Sequence, residues 1–163
     1  MGDDLALRRK WTLRAHGRRM VFVKRPQEQT SHVVMKALVW GLYLPQYPDL
    51  SIEPALADRY EPDVASLGTD RRPRFWGEAG QVTPTKIRSL AKRYRETHFA
   101  IAKWATRLAP QKAIVEKATT GVERSAPIDL IIFPEDAAER FIDESGTIHV
   151  VHDDLEWVRM EPC

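Results

Sequence analysis

Only one cysteine occurs in the 163 residues, and it is the last, Cys163. An intrachain disulfide is therefore impossible, and a cysteine metal cluster is excluded. No apolar run approaches the roughly 18 residues that a membrane-spanning helix needs. The opening Met1-Gly2-Asp3-Asp4 has no basic segment leading into an apolar one. That argues against a secretory signal and makes the cytoplasm the expected compartment. There is no GxGxxG, no Walker loop, no GxSxG and no HExxH, so the common nucleotide-binding and hydrolase motifs lend no support. Internal repeats and low-complexity tracts are missing too. What remains, with 43% hydrophobic and 29% charged residues, is the composition of one globular domain spanning 1–163.

The formal net charge of +2 conceals a division. Residues 1–122 hold 22 Lys/Arg against 12 Asp/Glu, whereas residues 123–163 hold 3 against 11. A basic body with an acidic end suits a polyanionic partner. The plain alternative is that solvated helix faces carry these charges.

Residues 9–25 read as an Arg- and Lys-rich hairpin turning at His16-Gly17. Residues 27–44 read as a helix, with Pro26 before it and Pro45 and Pro48 stopping it. Strands are expected at 50–57, at Pro62 to Leu67 and at Arg74 to Ala79. The next helix has clear boundaries. Thr83 is the N-cap, Pro84 takes the first helical position, and Val82 with Ile87 forms a hydrophobic staple. Ile87, Leu90, Ala91 and Tyr94 then give its buried stripe. Phe99 to Trp104 follows as a strand, with helix as a competitor because of Ala100, Ala102 and Ala105. Residues 110–120 read as helix, Ile128 to Phe133 as a buried strand and Pro134 to Ile142 as helix. Thr147 to Val151 and Leu155 to Met160 read as a closing hairpin. The fold class is α/β, with a mixed sheet flanked by helices on both faces.

Three acids stand out in this layout. Glu28 falls in the first turn of the first helix, Asp63 in Glu61-Pro62-Asp63-Val64, and Glu78 at the end of a strand. Adjacent antiparallel strands would carry Asp63 and Glu78 to within one residue pair at one sheet edge, with Glu28 nearby. Neighbouring carboxylates repel, and a hard divalent cation relieves that repulsion. Mg²⁺ favours one or two carboxylates with waters and a phosphate, and can polarise a phosphodiester. Solvated strand-end acids are the commoner explanation of such a pair taken alone.

The order helix with Glu, strand, Pro-Asp strand, Glu strand, helix, strand resembles the core of the PD-(D/E)xK nuclease superfamily, the restriction-endonuclease-like αβββαβ arrangement. Glu28 to Trp40 and Glu78-Ala79-Gly80 are most similar to the YaeQ-like branch, over about residues 20–104. The resemblance implies a metal-dependent phosphodiesterase, or its descendant, working with Mg²⁺ or Mn²⁺. Asp63 and Glu78 would be metal ligands, the Ala79 carbonyl a third, and Glu28 an auxiliary ligand or water-positioning group.

One departure matters. The lysine of the superfamily pattern would fall at position 80, which is Gly80. Either another lysine reaches the same space or catalysis is lost. Lys86 is the candidate for relocation. At the third helical position it opposes the helix dipole, as expected where function overrides local preference. Gln81 could hold a phosphate oxygen or a base edge. Arg88 and Lys92, with Arg95, the hairpin's Arg8, Arg9, Lys10, Arg14, Arg18, Arg19, Lys24 and Arg25, and Arg71, Arg72 and Arg74, could line a phosphate track on DNA or RNA. His32 shares the face of Glu28 one turn on. His149 and His152 are spaced to face opposite ways on one strand. Trp76 shares the strand face of Glu78 by period-two alternation, walling a cleft or packing a core. Two alternatives to the enzyme remain open: a non-catalytic nucleic-acid-binding protein on the same fold, and a protein-interaction module using the acidic end.

Overall fold

The computed structural model describes residues 9–162; Met1–Asp4, Arg8 and Cys163 lie outside the described residues. The elements are β1 (Lys10–Ala15), β2 (Arg18–Val23), α1 (Thr30–Tyr43), β3 (Ser51–Ile52), β4 (Val64–Leu67), β5 (Pro73–Ala79), α2 (Pro84–Arg93), β6 (His98–Trp104), α3 (Ala109–Ala118), β7 (Ile128–Phe133), α4 (Ala137–Phe141) and β8 (Glu156–Met160). Among the described residues no helix is long and apolar enough to cross a membrane.

Six strands form one mixed sheet in the order β3-β4-β5-β6-β7-β8. β3, β4 and β5 meander antiparallel. α2 then carries the chain across to β6, which is parallel to β5. α3 likewise links β6 to the parallel β7, and β8 closes the sheet antiparallel to β7. The competition between strand and helix at residues 99–104 resolves as strand, because this segment pairs on both sides.

Two apolar cores cover the two faces. On one face α1 packs with Phe75, Ala79, Ala100 and Ile131 of the sheet, and the β1–β2 hairpin adds Trp11, Leu13 and Phe22. On the other, Ile87 and Leu90 of α2 and Val115 of α3 meet Trp76, Phe99 and Leu130. Being covered by hairpin and sheet, α1 is buried at every residue from Val33 to Tyr43. That is why it reads as nearly uniform apolar sequence rather than a stripe.

Four boundaries differ from the sequence reading. α1 begins at Thr30, so Glu28 precedes it instead of lying in its first turn. Residues 25–28 close a turn of their own: the Glu28 N–H donates to the Arg25 carbonyl (3.0 Å) and the Glu28 Oε1 accepts the Arg25 N–H (3.1 Å). The strand expected at 50–57 is only Ser51–Ile52, because Glu53 adopts φ +49° and Pro54 follows. The helix at Pro134 to Ile142 shrinks to Ala137–Phe141. The closing hairpin does not form. Thr147 bridges to Arg14 and Ile148 to Ile142, while β8 pairs with β7. The cause is packing on α1. A Cβ at Gly41 would stand 2.8 Å from Ile148 Cγ2, so Gly41 lets residue 148 sit directly on the helix.

Inside the sheet lies a polar network. Asp129, fully buried near the start of β7, accepts from Tyr43 Oη (2.6 Å) and lies 2.7 Å from His98 Nε2. It also takes two bonds from Arg159 of β8, its register partner (2.8 and 3.1 Å). His98 Nδ1 is 2.9 Å from the Tyr47 hydroxyl. Because a carboxylate only accepts, His98 Nε2 is the donor to Asp129. Burial opposes the charge of Asp129, but hydrogen bonds from His98, Arg159 and Tyr43 outweigh it and hold the carboxyl down at about 2.

Candidate active site

The three acids meet around the end of β5. Val64 pairs with Gly77, and the Asp63 N–H also donates to the Gly77 carbonyl (3.1 Å). Both residues therefore address Gly77, a two-against-one arrangement that keeps Asp63 from the place beside Glu78. The expected side-by-side pair on one face is thus corrected. Asp63 turns toward α1, where its Oδ1 lies 3.4 Å from His32 Nε2, and its Oδ2 accepts the Ala79 N–H (2.8 Å). Glu78 alternates with Gly77, whose missing Cβ would meet Val39 of α1, so Glu78 faces α2. Asp63 thus binds the amide of the residue after Glu78, and its charge reaches the Glu78 carboxyl.

Glu78 is 6% exposed. Its Oε1 accepts the Trp76 Nε1–H (2.8 Å) and lies 3.0 Å from Lys86 Nζ. Trp76 itself is fully buried, so it packs the core and also orients the acid. Burial is the largest influence on the Glu78 carboxyl and pushes it up. The Asp63 charge pushes the same way, Trp76 and Lys86 pull down, and the outcome is a raised pKa. Lys86 reaches this acid from the first turn of α2, which Thr83 caps by accepting the Lys86 N–H (3.2 Å). Its ammonium also stands 5.1 Å from the Tyr60 ring centroid.

On the α1 side, Glu28 Oε2 lies 2.7 Å from both His32 Nδ1 and Lys36 Nζ. Lys36, 1% exposed, is also ion-paired to Glu53, which in turn holds Arg25 Nη2 at 2.6 Å. His32 thus bridges Glu28 and Asp63. The bond to Asp63 is the main reason its pKa is raised. Burial works against the Glu28 charge, yet Lys36, the Arg25 amide and His32 together lower its pKa. A groove of about 340 Å³ opens here, lined by Arg25, Glu28, His32, Glu53, Glu61 and Asp63.

Lys36 and Glu53 escape the sequence reading. Lys36 carries a signal, since it is the one charge in the apolar run Val33 to Leu44. Glu53 carries none, because its place depends on a left-handed backbone after a two-residue strand.

The nucleic-acid candidates are scattered. Gln81 is exposed between β5 and α2, and Lys92 is exposed in the last turn of α2. Arg88 is spent on the carboxyl end of α3, donating to the carbonyls of Ala118 (3.1 Å) and Thr120 (2.9 Å). Arg95 bonds the Lys92 and Glu123 carbonyls, Arg71 the Ala55 carbonyl, and Arg74 pairs with Asp49. Arg14, Arg18 and Arg19 are exposed on the hairpin. His149 pairs with Asp143 (2.9 Å), whereas the ring of His152 packs on Tyr43 and Trp157. Among the described residues no three of His, Cys, Asp and Glu converge as a metal-binding group.

Comparison with solved structures places this architecture. The YaeQ protein from Pseudomonas syringae superposes with a TM-score of 0.62 and 16% identity, covering 93% of this chain and 91% of that one. The fold is that of the YaeQ proteins. A second, from Xanthomonas axonopodis pv. citri, gives a TM-score of 0.59 and 15% identity over 94% of each chain. At such identity the likeness to YaeQ proteins is one of fold. No protein-family model matches the sequence, and no curated protein is found as a relative.

Proposed function

We propose that this chain is a metal-dependent, nuclease-like phosphodiesterase acting on DNA or RNA, on a core related to the PD-(D/E)xK superfamily and its restriction-endonuclease-like arrangement. The observation that carries the reading is the approach of Asp63 and Glu78 at the end of β5, close enough for one charge to act on the other, with the Lys86 ammonium 3.0 Å from Glu78.

The donors suit a hard cation. Glu78 uses Oε1 for both Trp76 and Lys86, which leaves Oε2 for a ligand. Asp63 uses Oδ2 for the Ala79 amide and keeps Oδ1 beside His32. Two carboxylate oxygens and the Ala79 carbonyl are the kind of set that Mg²⁺ or Mn²⁺ accepts, with the remaining positions left to water and phosphate. Such an ion supplies Lewis-acid polarisation of the phosphodiester. The protein's own groups do the rest. Lys86, pinned by Glu78 and Tyr60, places a fixed positive charge where negative charge develops on phosphorus. Arg25, which uses Nη2 on Glu53, has guanidinium donors left for a phosphate in the groove beside Asp63. Glu28, engaged by Lys36, His32 and the Arg25 amide, positions His32 and acts on the site through it.

The test is cleavage of single- and double-stranded DNA and RNA with Mg²⁺, Mn²⁺ or chelator. Activity should require metal and fall to the chelator level in Asp63→Asn and in Glu78→Gln. Glu78→Gln should stay folded, because burial already favours the uncharged carboxyl. Lys86→Met should lower kcat by about 10²–10³-fold, the scale of losing one preorganised charge-stabilising group, with little change in KM. Cleavage that survives both carboxylate changes sinks the reading.

A specific feature favours a second reading, a non-catalytic nucleic-acid-binding protein. Gly80 adopts φ +102°, so position 80 leaves the extended path on which the pattern's lysine would follow Glu78. This alternative expects metal-independent binding without cleavage, weakening steeply with salt as neutralised phosphates release counterions.

A further inference from the structure

A second groove, of about 250 Å³, opens between α2 and α3 at the carboxyl ends of the parallel strands β5, β6 and β7. In open α/β sheets that end is where ligands collect. Ile101 forms part of its floor and is the register partner of Glu78, so it faces the same side of the sheet. Ile132 extends the floor on β7. Ile114 of α3 forms a wall and is 39% exposed, one of four large hydrophobic residues left open on the described surface. Besides Thr83, which caps α2, three polar side chains join this apolar slot: Gln81 from the β5–α2 loop, Lys103 from β6 and Gln111 from α3. None of the three has a side-chain hydrogen bond or ion pair among the described residues.

We infer that this groove is a nucleobase subsite, holding the base of a nucleotide adjacent to the phosphate bound at Asp63 and Glu78; the second half of that statement rests on the phosphodiesterase reading. A base has two apolar faces and a polar edge. Aliphatic side chains match the faces, and carboxamides, with both donors and an acceptor, match the edge. Lys103 adds an ammonium donor that can reach an acceptor on the base edge. A purely aliphatic ligand would leave three polar groups desolvated and unpaired. The groove begins at Gly80, two residues beyond Glu78, so a base held there would sit next to a phosphate at the acids.

The test uses the full chain with ¹³C-labelled isoleucine methyls, titrated without metal with adenosine and uridine 5′-monophosphate, and with ribose 5-phosphate as the baseless control. Nucleotides should shift the methyls of Ile101, Ile114 and Ile132 in a saturable way, and ribose 5-phosphate should not. Gln111→Ala and Gln81→Ala, both changes outside the cores, should each weaken binding about five- to tenfold, the scale of one or two hydrogen bonds. Equal shifts with ribose 5-phosphate would reduce the groove to an anion site and overturn the inference, as would no shift with either nucleotide. Because the titration needs neither metal nor turnover, base binding in a protein that fails to cleave would uphold the subsite while removing the enzyme.

Discussion

Lys36→Met is expected to cost about 3–5 kcal/mol, the usual scale for removing one partner of a buried ion pair. The ammonium is 1% exposed and serves both Glu28 and Glu53. Methionine has nearly the same length, so the loss reflects the two abandoned carboxylates and little cavity formation. Against a typical total of roughly 5–15 kcal/mol the change is large. Chemical denaturation would measure it. Adding Glu28→Gln and Glu53→Gln to Lys36→Met should recover most of the stability, because the uncompensated charges leave with their partner. A single-variant loss below about 1 kcal/mol, the scale of an exposed ion pair, would mean that Lys36 does not hold the groove together.

Asp129→Ala should be comparably damaging. It strands the Tyr43 hydroxyl and His98 Nε2 in the core and breaks the Arg159 link between β7 and β8. The expected loss is again about 3–5 kcal/mol, from buried donors left unpaired and a buried charge pair broken. The same residue gives the protein an acid limb. Its folded pKa, about 2, lies below the ordinary 3.8. Its contribution is therefore complete above that ordinary value and fades as pH falls from about 4 toward 2. Asp129→Asn keeps the shape and should flatten this part of the stability–pH curve. An unchanged acid limb in Asp129→Asn would assign acid unfolding to other carboxylates.

How far the fold was legible depended on whether local chemistry decided the element. α2 could be read in full, since Thr83, Pro84 and the Ile87–Leu90–Ala91 stripe set its cap, start and buried face without help from the rest of the chain. β6, poor in local preference because of its alanines, takes its form from pairing with β5 and β7. The segment 147–151 departs from the expected hairpin for a tertiary reason: Gly41 lets Ile148 settle on α1, which no local pattern announces. At the candidate site, Glu28, Asp63, Glu78 and Lys86, singled out through the resemblance, do come near one another around the end of β5. Their relative facing was not legible, because Asp63 and Val64 both address Gly77, and pairing of that kind is invisible in sequence. Lys36 and Asp129 share a signal that was there to be used. Each is a lone charge in a run of buried apolar residues, and each anchors a polar cluster.

In the proposed function, Asp63 and Glu78 together hold one divalent cation. Mn²⁺ binding followed by electron paramagnetic resonance, in the nucleic-acid-free protein, tests it most directly. A single site is expected, lost in Asp63→Asn and equally in Glu78→Gln, and persisting in Lys92→Ala, whose side chain is exposed at the far end of α2. Absence of bound Mn²⁺, or binding that survives both carboxylate changes, would contradict it.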